Sequence, residues 1–231
     1  MQLTARDAAR LLGVSESTLY RWLRARELPA RRVNDQYRFN RVDLLEFAAA
    51  RNLDVSAELL AGGEEPEAAP ALSGAVRAGG VHRGLPAGDK SAVLREVVDR
   101  LPLPRTADRD LLHRVLLARE ALGSTGLGNG IAIPHPRNPI VLRVKAPAAA
   151  ICYLERPVDF GAIDGKPVHT LVTLVCPSTR AHLRLLAVLA SALRDPVFAA
   201  RLEAREGVDE LVPEIERIEA ALAARRSGGP A

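Results

Sequence analysis

An α/β protein in two parts is what this sequence predicts, and three observations carry the prediction. Between Ala148 and Cys176 two apolar, strand-like runs flank a turn-rich stretch, and the segments around them repeat their apolar residues at helical spacing. Upstream, residues 55–70 turn to Ala, Gly, Glu and Pro, too polar and breaker-rich for a core. Before that lies an arginine-biased segment with helix signals of its own. The expected organisation is a small N-terminal domain over residues 1–54, a flexible linker over 55–70 and a larger domain over 71–225.

The chain has 231 residues, of which 48% are apolar, enough for two cores. Its two cysteines, Cys152 and Cys176, stand in apolar runs without CxxC or metal spacing, so reduced, buried thiols are expected and a disulfide framework is excluded. No His/Cys/Asp cluster has the spacing of a metal site, and none is expected. No run is long and apolar enough for a signal or a membrane span, so a cytoplasmic location without membrane contact is expected. The net charge of +4 is unevenly placed: residues 1–41 hold nine Arg against four acids, while charges in the remainder nearly balance. That local positive excess suits a nucleic-acid partner.

Thr4-Ala-Arg-Asp7 has the form of a capped helix start, with Ala8, Leu11 and Leu12 following at helical spacing and Gly13 ending the helix. Ser15 then caps a second helix to about Arg26, giving the helix, short turn, helix geometry of DNA readers. On it Leu19, Trp22 and Leu23 share one side, and Ser17, Tyr20, Arg21 and Arg24 the other. The first side packs; the second offers groups suited to phosphates and base edges, or is simply a solvated polar face. Pro29-Ala-Arg-Arg-Val33 and Tyr37-Arg-Phe-Asn40 read as two short strands around Asn34-Asp35-Gln36, a wing, followed by a helix from Arg41 to about Arg51 capped by Asn40.

These residues, above all Ala8-Ala-Arg-Leu-Leu-Gly-Val-Ser-Glu-Ser-Thr-Leu-Tyr-Arg-Trp22 and the Leu28-Pro29 before the wing, resemble the winged helix-turn-helix of the excisionase and MerR-like family. The resemblance implies double-stranded DNA as partner, with Ser15, Ser17, Thr18, Tyr20, Arg21, Arg24 and Arg38 as contact residues. Modules of this family also dock proteins, and Asn34-Asp35 replaces the usual wing-tip glycine. One such module makes a small interface, so tight specific binding calls for a homodimer reading two half-sites.

In the larger domain we expect a helix from Ala71 to Arg77, a strand around Val81, and helices over Asp89–Leu101 and Asp108–Glu120. The last has Leu112, Val115 and Leu116 on its apolar stripe, with Arg119 at the stripe's end. A cation there either caps the carboxyl end of its own helix or meets an anion in the loop beyond; the neighbouring loop favours the anion. That loop is Gly126-Leu-Gly-Asn-Gly130, whose spacing permits positive φ and amides turned towards an anion, although glycine-rich turns before strands are common without any ligand. It leads to His135, held between Pro134 and Pro136. Further on, strands over Ala148–Leu154 and Val168–Cys176 precede a helix with Leu186, Leu189 and Leu193 on its core stripe, and the remainder forms a last helical pattern before a frayed tail from Arg225. His182, in the first turn of the leucine-bearing helix, is on general grounds a packed core residue. His82, His113 and His169 match no site.

The full stretch Arg119-Glu-Ala-Leu-Gly-Ser-Thr-Gly-Leu-Gly-Asn-Gly-Ile-Ala-Ile-Pro-His135 resembles the active-site signature of the enzyme IIA domains of the bacterial phosphotransferase system, in the fructose, mannitol and nitrogen-regulatory class. The resemblance implies a mixed sheet flanked by helices and a reversible phosphohistidine at His135, with His182 as a second active-site histidine and a histidine-containing phosphocarrier protein as donor. Charge on the phosphoryl oxygens would be met by Arg119, His182 and the amides of Gly126, Gly128 and Gly130. Ser124 and Thr125 would add hydroxyl donors or cap the turn. No cofactor beyond the covalent phosphoryl group is implied. Three functions remain open: a phosphorylation-sensing DNA-binding or transcriptional regulator, a sugar-specific phosphocarrier passing phosphate to a separate IIB component, and a regulator acting by contact with protein partners alone.

Overall fold

The computed structural model of the chain describes residues 3–25, 27–33, 36–39, 43, 44, 47, 48, 51, 53, 70–86, 88–136 and 144–227, and it divides into two compact units, Met1–Glu67 and Ala68–Ala231.

In the first unit, helices α1 (Ala5–Leu11) and α2 (Glu16–Arg24) are set by local chemistry. Thr4 Oγ1 accepts from the Asp7 amide at 3.2 Å, and Asp7 Oδ2 accepts from the Thr4 amide at 3.1 Å and its hydroxyl at 2.7 Å, a reciprocal cap. These Thr4 bonds hold the Asp7 carboxyl below its ordinary 3.8. Gly13, at φ 65°, turns the chain, and Ser15 caps α2 through the Thr18 amide. Strands β1 (Arg31–Val33) and β2 (Gln36–Arg38) form an antiparallel ribbon, and Leu3 bridges Phe39. Ala8, Leu12, Leu19, Trp22, Leu28, Phe39, Leu44 and Phe47 share one core. Arg51 lies over the Trp22 and Phe47 rings while its Nη2 pairs with Glu27 at 2.7 Å. The wing tip Asn34-Asp35, the Asn40 cap with most of the helix expected to follow it, and the expected linker except Pro70 lie outside the described residues.

The second unit is built on a five-stranded sheet of β3 (Val81–Leu85), β4 (Gly126–Gly128), β5 (Ile131–Ala132), β6 (Ala148–Val158) and β7 (Val168–Val175), in the order β3-β6-β7-β5-β4. β3 pairs with β6 and β5 with β7 in parallel; β6 with β7 and β4 with β5 are antiparallel. Helices α3 (Leu72–Gly79), α4 (Lys90–Arg100), α5 (Arg109–Ala121), α6 (Thr179–Arg194), α7 (Pro196–Glu203) and α8 (Val208–Ser227) flank it. Asp89, Asp108 and Ser178 cap α4, α5 and α6, each accepting an amide three residues on. Val93, Leu94, Val97 and Val98 of α4 and Leu112 and Leu116 of α5 pack with Ala148, Ala150, Cys152, Leu171 and Val175 of the sheet. α3 packs on β6 and α6 on β7, and α8 closes over both helices.

Three expectations shift. Helix α3 runs on to Gly79, two residues past Arg77, before Gly80 turns it at φ 78°. On α6 the buried stripe is Leu185, Leu186, Leu189 and Ala192, with Leu193 only half-buried. The expected tail is helical as far as Ser227. Both cysteines are free and buried, and desolvation pushes each thiol up to about 12. No described helix is long and apolar enough to cross a membrane.

Candidate functional site

The parallel pairing of β5 with β7 decides which residues meet. Ile131 lies beside Thr170 and Ala132 beside Leu171, so both strands run out at the same edge of the sheet. Past β5 the chain continues through Ile133, Pro134 and His135, all buried. Past β7 it reaches Ser178, which caps α6 and places His182 in the helix's first turn. The two imidazoles therefore face each other, centroids 4.9 Å apart and planes inclined by 36°. His135 is 2% exposed and His182 0%.

His135 Nδ1 lies 2.6 Å from the Ile133 carbonyl oxygen. A carbonyl oxygen only accepts, so Nδ1 carries a proton and the lone pair of the neutral ring is on Nε2. The sixteen-residue helix α6 directs its N-terminal partial charge to the same end of the sheet. The chemistry such a place favours is a nucleophilic nitrogen meeting an anion.

The glycine-rich stretch is a hairpin. Gly126–Gly128 forms β4, Asn129 and Gly130 turn at φ 50° and 71°, and β5 returns antiparallel. The donors expected to cradle an anion are in good part used within the fold. Ser124 donates its hydroxyl to Phe160 O at 2.6 Å and accepts the Gly126 amide at 3.0 Å. Thr125 donates its amide at 2.9 Å and hydroxyl at 2.6 Å to Glu120 Oε2. The Asn129 amide donates to Asp164 at 2.8 Å, which holds that carboxyl below its ordinary 3.8. Gly128 adopts φ 98° with Asp164 close to where a Cβ would stand. The stretch is thus a hairpin in which the Ser124 and Thr125 hydroxyls and the Thr125, Gly126 and Asn129 amides are bonded within the fold.

Arg119 is half-buried on the last turn of α5, and its Nη1 donates to Gly123 O at 2.8 Å. The buried charge at this helix end is Glu120, with its side chain 4% exposed and paired to Lys90 at 3.1 Å. Lys90 also donates to Phe160 O at 2.8 Å. Sequence reasoning passed over Glu120 and Lys90. The signal was present, because Leu112, Leu116 and Glu120 are spaced by four and share one helical stripe.

In the first unit Ser17, Tyr20, Arg21 and Arg24 are exposed on α2, while Thr18 is half-buried. Ser15 Oγ is bonded to Ser17 Oγ at 2.8 Å and Thr18 Oγ1 at 3.0 Å, so these hydroxyls order the start of α2. Tyr20 meets Tyr37 of β2 edge to face at 6.1 Å, which links the polar face of α2 to the ribbon. Arg38 is half-buried and donates to Gln36 at 2.8 Å.

The mixed sheet flanked by helices, with His135 just past β5 and His182 in the first turn of α6, is the architecture of a type-2 enzyme IIA domain, as comparison with known proteins shows. Residues 76–218 match the family described as "Phosphoenolpyruvate-dependent sugar phosphotransferase system, EIIA 2", and residues 3–52 match a "Helix-turn-helix domain" family. The chain belongs to the EIIA 2 family and carries a helix-turn-helix domain ahead of it. Among its relatives are the nitrogen regulatory protein of Pseudomonas aeruginosa, 42% identical over 113 residues that cover 47% of this chain and 71% of that protein, and the nitrogen regulatory protein of Escherichia coli (strain K12), 39% identical over 104 residues covering 44% of this chain and 62% of that one. The crystal structure of nitrogen regulatory protein IIA-Ntr from Neisseria meningitidis superposes with a TM-score of 0.51 at 32% identity, covering 58% of this chain and 91% of that one.

Proposed function

We propose that His135 accepts a phosphoryl group from a phosphohistidine on a carrier protein, and that the phosphorylation state of this domain governs what the N-terminal helix-turn-helix does at double-stranded DNA. The Nδ1 bond to Ile133 O carries the reading, since it presents Nε2 as the nucleophile beside His182 and a helix N-terminus. Nε2 attacks the phosphorus in line with the donor's N–P bond. A new N–P bond forms at Nε2 as the old one breaks, and its electron pair returns to the donor imidazole. The Nδ1–H bond to Ile133 O then stabilises the positive ring, and the phosphoryl oxygens face the N-terminus of α6. With both rings buried, transfer includes a local opening at the site's rim.

The DNA arm is supported by the exposed Ser17, Tyr20, Arg21 and Arg24 on α2 and by the arginine bias of residues 1–41. The regulatory arm is supported by relatives named as nitrogen regulatory proteins. Incubation with phosphoenolpyruvate, enzyme I and the phosphocarrier, followed by intact mass, tests the first step. The wild type should gain one phosphoryl group and His135→Ala none; equal labelling of both, or of neither, refutes the assignment. Salt-sensitive DNA binding that differs between the two phosphorylation states tests the second step. Onward transfer to a IIB partner would instead mark the chain as a sugar-specific carrier.

A further inference from the structure

We propose that Glu120 and Thr125 are positioning residues for His135, helping to set its tautomer through a chain of hydrogen bonds and intervening backbone that begins at Lys90. The proposal rests on the reading of His135 as the phosphoryl acceptor. Each link is a close contact. Lys90 Nζ donates to Glu120 Oε1 at 3.1 Å, and Glu120 Oε2 accepts both the amide and the hydroxyl of Thr125, at 2.9 and 2.6 Å. The Thr125 carbonyl accepts the Ile133 amide at 3.0 Å, and the Ile133 carbonyl accepts His135 Nδ1–H at 2.6 Å. Between these bonds the chain of contacts runs through the backbone of Thr125 and Ile133, where N–H and C=O lie in successive peptide planes joined at one Cα, so holding one plane restrains the next only through that residue's φ and ψ.

Burial makes the relay selective. Glu120 and Thr125 are 7% and 5% exposed, and Ile133 2%. A buried amide without its acceptor is costly, so Thr125 stays where Glu120 can receive it. A carboxylate receives two donors on one oxygen and a lysine on the other, which an amide cannot do without turning its NH2 towards Lys90. The charged form of Glu120 therefore suits this arrangement, with Lys90 as its counter-ion. Through this chain the end of α5 fixes the strand-end carbonyl that selects which imidazole nitrogen is left with the lone pair. A nucleophile held by supporting hydrogen bonds keeps its reactive nitrogen aimed.

The test uses the full chain in four forms: wild type, Glu120→Gln, Thr125→Val and Thr125→Ser. Thr125→Val replaces the hydroxyl by a methyl group, and Thr125→Ser keeps the hydroxyl while losing the methyl. The readouts are the ring 15N shifts of His135, assigned by their loss in His135→Gln, and the initial rate of phosphorylation by the phosphocarrier. Wild type and Thr125→Ser should show a single Nδ1–H tautomer. Glu120→Gln and Thr125→Val should show a tautomer mixture and transfer slowed on the order of tenfold. Folded variants that keep the single tautomer overturn the proposal, even if transfer slows, because the role would then be structural. If Glu120→Gln does not fold, the valine and serine pair decides. If the wild type takes no phosphate, the functional reading fails while the 15N shifts still decide the relay.

Discussion

Replacing Gly130 by alanine asks whether the hairpin turn helps to place His135. Gly130 has φ +71°, where an L residue costs about 1–2 kcal/mol. The added methyl would stand 2.1 Å from His169 Nε2 and 2.2 Å from Cδ2, so the ring must swing out. In doing so it loses the 2.8 Å bond between its Nδ1 and Thr170 Oγ1, worth about 0.5–1.5 kcal/mol. Its 3.5 Å contact with the exposed Glu203 adds little. The expected destabilisation is about 2–3 kcal/mol. Gly165 supplies the control, with φ +69° and no atom within 4 Å of a new Cβ, so Gly165→Ala carries the conformational cost alone. In a domain of this size the difference, about 1 kcal/mol, should separate the two unfolding midpoints by about 2–4 °C. Far-UV circular dichroism follows the transition, and fluorescence of Trp22, the one tryptophan, separately reports the N-terminal unit. The function should follow. The Gly130 carbonyl accepts the His169 amide at 2.8 Å and the Thr170 amide at 3.0 Å, which pins β5 to β7 just before His135. Gly130→Ala should slow phosphorylation on the order of tenfold, with Gly165→Ala within about twofold of wild type. If Gly130→Ala melts no lower than Gly165→Ala and takes phosphate at the wild-type rate, the placement argument is wrong.

Three further outcomes follow from particular residues. On α3, Gly74→Ala enters open space and should stabilise by about 0.5–1 kcal/mol, whereas Gly79→Ala puts a methyl 2.2 Å from the Ala149 carbonyl oxygen and should destabilise by about 1–3 kcal/mol; shifts of the same sign in thermal unfolding would contradict this. The Asn129 amide bond lowers the Asp164 carboxyl below 3.8, so its contribution is complete above 3.8 and is lost as pH falls through the lower folded value; the Asn129 amide NMR shift should titrate with a midpoint under 3.8, and not at all in Asp164→Asn. With burial raising both thiols to about 12, iodoacetamide at neutral pH should leave the native protein unmodified and label both Cys152 and Cys176 in denaturant, as read by intact mass.

Much of the molecule was legible because its signals are local. Thr4 with Asp7, Ser15, Asp89, Asp108 and Ser178 cap the helices they precede, and a cap acts within three residues of itself. The apolar runs around Cys152 and Val172 became the two longest strands for an equally local reason, since β-rich sequence buried on both faces reads as a continuous apolar run. Less legible is where the donors of the glycine stretch go. Glycine spacing tells where the backbone can turn. It does not tell that Glu120, Phe160 and Asp164 will take up the hydrogen bonds of Ser124, Thr125 and Asn129.

Sequence by itself determined that a helix-turn-helix precedes an α/β domain, and that His135 follows a glycine turn and is flanked by prolines, because propensity, capping and turn chemistry are encoded within a few residues. The resemblance of residues 119–135 already implied His182 as a second histidine of the site, and the tertiary structure decided how the two rings meet, centroids 4.9 Å apart. That follows from β5 pairing in parallel with β7, a choice made by burial across the whole sheet. It also decided that the buried charge at the end of α5 is Glu120, with Arg119 half-exposed beside it, because helix packing against the sheet settles which face of a stripe is dry.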